Sequence, residues 1–63
     1  MTWRIIQTTD NQHIGVVLDF VEAGNVITFE DGDVVAINRI FEADEGNTLL
    51  ACGVNYQMTL IKE

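Results

Sequence analysis

Asn25-Val26-Ile27-Thr28-Phe29-Glu30-Asp31-Gly32-Asp33-Val34-Val35-Ala36-Ile37 places an Asp-Gly pair between two runs of β-branched and aromatic residues. An Asp-Gly pair flanked in this way is the strongest short-range signal for a β-hairpin. Two registers are open. A two-residue loop pairs Glu30 with Asp33 and Phe29 with Val34. A three-residue loop, with Gly32 in the left-handed conformation, pairs Phe29 with Asp33 and Ile27 with Val35. The second is preferred because it keeps two carboxylates from facing each other and gathers Ile27, Phe29, Val35 and Ile37 on one face. Val26, Thr28, Val34 and Ala36 then share the other face, which is too apolar for a sheet surface left to water.

Working outward from this hairpin, short alternating runs recur along the chain, separated by Gly, Asn and Asp clusters. They predict six strands, over residues 2–8, 13–21, 25–30, 33–41, 48–52 and 56–61. The period-two pattern points Trp3 and Ile5 inward from the first, Ile14, Val16, Leu18 and Phe20 from the second, and Tyr56, Met58 and Leu60 from the last. Helix competes poorly, because Val, Ile and Thr are dense and Gly interrupts the longer windows. Only Ala43-Asp44-Glu45 and its neighbours are helix-like, enough for one turn. The expected fold is a single all-β domain over residues 1–63, a small antiparallel meander of five to six short strands forming an SH3-like, partly open barrel.

The span Gly15 to Phe29, which carries Asp19 and Asn25 around a strand-turn-strand bend, resembles that of Sm-like proteins, which form RNA-binding rings. Asp19 and Asn25 are one residue further apart than that pattern sets them, and its second, basic and glycine-containing motif is missing. What the resemblance implies is limited to a small barrel that assembles through strand edges.

At 63 residues the chain is near the lower edge of what folds alone, and its single cysteine, Cys52, excludes an internal disulfide. Nearly half of the residues are apolar and none is proline, a composition for an ordered domain rather than an acidic tail. Ten acidic residues against Arg4, Arg39 and Lys62 give a net charge of −7, which repels nucleic-acid phosphates. No window has the length of a membrane span, and the N-terminus lacks an apolar signal segment, so the expected location is cytoplasmic, without membrane association.

The carboxylates concentrate at two turns, Glu30, Asp31 and Asp33 at one and Glu42, Asp44 and Glu45 at the next. Such oxygen-rich turns can hold Ca²⁺ or Mg²⁺, but the spacing is not that of an EF-hand loop, and turn chemistry explains the same residues. Both turns follow Phe-Glu, a likeness that shared turn requirements account for. His13, at a strand start, reads as a solvated edge residue, and one histidine does not make a zinc site. Cys52 follows Leu49-Leu50-Ala51 and reads as a small core residue. Trp3, Phe20, Phe41 and Tyr56 supply what one small core consumes rather than a peptide groove.

No catalytic, cofactor or metal residues are therefore assigned, and the chain is read as a non-enzymatic structural or interaction module. It is expected to form a homo-oligomer or to dock on a protein partner, with Val17, Val26, Val34 and Ala36 at the contact. The alternatives are an acidic nucleic-acid mimic, which requires Asp10, Asp19 and the two acidic turns to form one continuous face, and a cation-stabilised binding module.

Overall fold

In the computed structural model, which describes residues 1–63, the hairpin adopts the three-residue register. Ile27 pairs with Val35, and the Phe29 N–H donates to the Asp33 carbonyl at 2.8 Å. Gly32 supplies the left-handed backbone at φ 93°, and its own N–H closes the turn onto the Phe29 carbonyl at 3.0 Å. Ile27, Phe29 and Ile37 are buried and Val35 is half-buried, while Val26, Thr28, Val34 and Ala36 face solvent. One turn thus decides which four side chains enter the core.

The strands in chain order are β1 (Trp3–Thr8), β2 (Val17–Leu18), β3 (Val26–Thr28), β4 (Val34–Ala36), β5 (Arg39–Ala43), β6 (Thr48–Gly53) and β7 (Tyr56–Lys62). Five form an antiparallel sheet in the order β2-β1-β7-β6-β5, and β3 and β4 form a separate two-stranded sheet. The architecture is all-β, an open antiparallel meander compatible with an SH3-like arrangement, and its sheets do not close into a barrel. Trp3 and Ile5 of β1, Leu49 and Ala51 of β6, and Met58 and Leu60 of β7 form one core with Val21, Ile27, Phe29 and Ile37. The long strands β6 and β7 pair from Thr48↔Ile61 to Gly53↔Tyr56 around a Val54-Asn55 turn in which Asn55 is left-handed. No helix is long and apolar enough to cross a membrane.

Two expected strands behave differently. The run 33–41 divides between the sheets: the Ile37 N–H still donates to Asn25 in the hairpin, whereas the Asn38 N–H donates to Cys52 of β6 at 2.7 Å. The chain changes sheets between these two residues, which is why seven strands replace six. The run 13–21 contracts to Val17 and Leu18, because His13 and Gly15 take positive φ values, 64° and 93°, that interrupt an extended backbone. Ile14, between those two residues, is consequently exposed rather than inward; Phe20, beyond β2, is exposed as well, and Val21 enters the core.

Cys52 is half-buried and stands in the outward series of β6 with Leu50, opposite Arg39 and Gln57, rather than in the core; the inward series is Leu49 and Ala51. The turn at Asp44–Gly46 is a single turn, as its composition suggests, but a left-handed one: Asp44, Glu45 and Gly46 have φ of 52°, 55° and 87°.

Gly53 sets how closely the two sheets approach. A Cβ built there would lie 2.3 Å from the Ala36 carbonyl oxygen, a backbone atom that cannot swing aside. Gly53→Ala is therefore expected to lower folding stability by about 1–3 kcal/mol, the usual cost of a forced backbone shift, as read by urea unfolding. Unchanged stability would mean that the two sheets separate freely at this point.

Candidate functional site

The acidic hairpin tip is tied to the loop that follows β1. The Asp31 Oδ1 accepts the Asp33 backbone N–H at 2.9 Å, an Asx turn that orients the carboxylate. Its Oδ2 lies 2.9 Å from Nε2 of His13, and the Asp33 Oδ2 lies 3.3 Å from the same nitrogen. The His13 ring stacks on Phe29, with centroids 3.8 Å apart and planes 14° from parallel. Its side chain is only 8% exposed, so His13 is a buried clasp between loop and hairpin rather than a solvated edge residue.

The loop is shaped to present this ring. The Thr8 hydroxyl donates to the Gln12 carbonyl at 2.9 Å, and the Gln12 N–H donates to the Asp10 carboxylate at 3.0 Å. The Val16 N–H closes onto the His13 carbonyl at 3.1 Å, and the Arg4 guanidinium donates to the Gly15 carbonyl at 3.0 Å. Arg4 is itself paired with Glu63.

The hydrogen bond from the Asp33 N–H holds the Asp31 carboxyl below its ordinary value of 3.8, and the His13 contact acts in the same direction. The nitrogen of His13 and a carboxylate oxygen from each aspartate lie within 4.8 Å of one another, a span that a divalent ion can bridge. The outer nitrogen, Nδ1, is buried with no hydrogen-bond partner, whereas a metal-bound histidine ordinarily donates from that atom. The arrangement fits a hydrogen-bonded clasp better than a metal centre. Tyr56 holds a second orphaned group: its buried hydroxyl has no hydrogen-bond partner, and burial, reinforced by the Asp10 carboxylate, raises its pKa.

The residues anticipated at an interface fall on two surfaces. Val26 and Ala36 are cross-strand partners on the outer face of the hairpin, with Thr28 and Val34 paired beside them. Val34 and Ala36 also line a groove of about 310 Å³ that continues to Val54. Val26, Val34 and Val54 are 62%, 61% and 78% exposed, so this strip is apolar and uncovered. Val17 stands apart, opposite Arg4 on the outer side of the larger sheet. Sequence pattern alone missed Val54, whose turn position next to the hairpin depends on the approach of Gly53 to Ala36.

The carboxylates separate toward the two ends of the large sheet. Glu42, Asp44 and Glu45 lie where β1 begins, because Thr48 pairs with Ile61 and Ile61 with Arg4. Asp10 follows the other end of β1, and both Asp10 and Asp33 lie close enough to Tyr56 to act on its hydroxyl. Asp10 and Asp33 thus lie toward the opposite end of β1 from Glu42, Asp44 and Glu45. No protein-family model matches the chain, and no curated protein or solved structure matches it significantly.

Because the folded Asp31 carboxyl titrates below its unfolded value, its contribution to stability is complete above pH 3.8 and is lost as pH falls through the folded value. Asp31→Asn keeps an oxygen for the Asx turn but does not titrate. Its melting temperature is expected to lie below the parent's at neutral pH, to fall less steeply in acid, and to converge on the parent's as pH drops through the folded value. An unaltered acid limb would show that the clasp carries no proton linkage.

Proposed function

We propose that the chain is a non-enzymatic interaction module that associates with a second copy of itself through the outer face of the β3–β4 hairpin. The observation that carries this reading is the strip formed by Val26, Val34 and Ala36 on a two-stranded sheet whose inner face already fills the core, extended by Val54 of the neighbouring β6–β7 turn. Uncovered apolar strips of this kind mark association surfaces.

A standard interface takes about 800 Å² from each partner. The whole chain exposes 4127 Å², so a contact of that size would cover about a fifth of its surface. That burial adds apolar area that a core of ten residues lacks. A two-fold arrangement of hairpins is self-complementary, since the same strip serves both copies, and with its axis across the strands it sends the two acidic tips in opposite directions.

The charge of −7 on each copy opposes this association, and salt screens that repulsion. Sedimentation at increasing protein concentration should therefore show assembly that strengthens between 0.05 and 0.5 M NaCl, two conditions differing by about a factor of three in Debye length. Val34→Glu, at a solvent-facing strand position, should remain folded by circular dichroism and sediment as a monomer. A monomer at millimolar concentration in high salt, or a Val34→Glu protein that assembles as the parent does, would overturn the reading.

A further inference from the structure

The open side of the fold holds a second surface, distinct from the outer hairpin face. A cleft of about 480 Å³ runs between β2 and β3, with His13, Val16, Val17 and Leu18 lining it from one side and Thr28, Phe29, Glu30 and Asp31 from the other. Both bordering strands are sheet edges: β2 ends the five-stranded order, and β3 pairs with β4 alone.

Their free backbone groups follow from the ladder pattern. The Phe29 N–H bonds to Asp33 and the Ile37 N–H to Asn25, so in this hairpin the hydrogen-bonded pairs alternate through Ile27–Val35. Val26 and Thr28 therefore turn their N–H and C=O groups away from β4. On the other wall the Ile5 N–H bonds to Val16, which makes Arg4–Val17 the non-bonded pair and turns the Val17 backbone away from β1. Two unpaired strand edges thus border one apolar cleft.

The charge at its rim selects an occupant. Glu30 makes no hydrogen bond or ion pair, and Asp33 uses one carboxylate oxygen toward His13, leaving the other free. Arg4, across the ladder from Val17, is neutralised by Glu63. A second copy of this chain would bring seven further negative charges, whereas a basic segment would meet these unpaired carboxylates.

We propose that this cleft binds an extended, cationic peptide segment of a partner protein. The segment adds as a strand to the free edge of β3, rests alternate apolar side chains on Val16 and Leu18, and sets a Lys or Arg against Glu30 and Asp33. The proposal does not depend on self-association, and it carries the opposite response to salt.

The probe is the peptide acetyl-Lys-Val-Lys-Val-Lys-Val-amide, titrated into the full ¹⁵N-labelled chain at 0.05 M NaCl, with acetyl-Glu-Val-Glu-Val-Glu-Val-amide as control. The expected result is saturable shifts of the Val17, Val26 and Thr28 amides with the basic peptide alone. Affinity should weaken at least tenfold at 0.5 M NaCl and at least tenfold in Glu30→Lys, a change at a residue that makes no internal contact through its carboxylate. The Val34→Glu protein should bind as the parent does, which separates this surface from the outer face. Shifts centred elsewhere, equal binding of the acidic peptide, or undiminished binding by Glu30→Lys would overturn the proposal.

Discussion

The three-residue turn Glu30-Asp31-Gly32 fixes the register on which the rest of the molecule depends. Side chains alternate along a strand, so a slip of one residue would exchange the buried set for the exposed one. With Gly32 left-handed, Ile27, Phe29 and Ile37 close over Ile5, Met58 and Leu60, and the hairpin becomes the lid of the larger sheet. The same turn puts Val26, Val34 and Ala36 outside, so core formation and the uncovered apolar strip have one cause. It also positions Asp31 and Asp33 to receive His13 from a loop 18 and 20 residues earlier in the chain.

That clasp and the close approach at Gly53 hold the hairpin from opposite sides. Stacking on Phe29 joins the loop to the hairpin strand that enters the core, and the Ala36 carbonyl lies too close to Gly53 for any side chain there. Between them the chain crosses from one sheet to the other at Ile37 and Asn38, with consecutive N–H groups bonded to different sheets. The β2–β3 side is fastened by that clasp at the hairpin tip alone, and beyond it two strand edges stay free.

The hairpin register, the inward faces of the first and last strands and the apolar outer face were legible in the sequence because each follows from local alternation and one turn. His13 was not legible. Its role depends on partners contributed by a distant turn, and its positive φ breaks the very strand that alternation assigned to it. Ile14, between His13 and Gly15, was misplaced for the same reason. The crossing at Ile37-Asn38 lies inside a run marked only by the polar pair Asn38-Arg39, where no glycine or proline signals the bend. Val54 was missed because tertiary approach, not periodicity, brings its turn beside Val34 and Ala36. The acids were read as turn chemistry, and at Asp31 that reading is incomplete, since its carboxylate serves both the turn and His13.

The central claim is that the hairpin's outer face, rather than the outer side of the larger sheet, is where copies meet. Methyl NMR spectra recorded over a dilution series in 0.5 M NaCl test it residue by residue. The account predicts concentration-dependent shifts at the methyl groups of Val26, Val34, Ala36 and Val54, with those of Ile6 and Ile61 unmoved. Shifts confined to Ile6 and Ile61, or spectra independent of concentration, would contradict it.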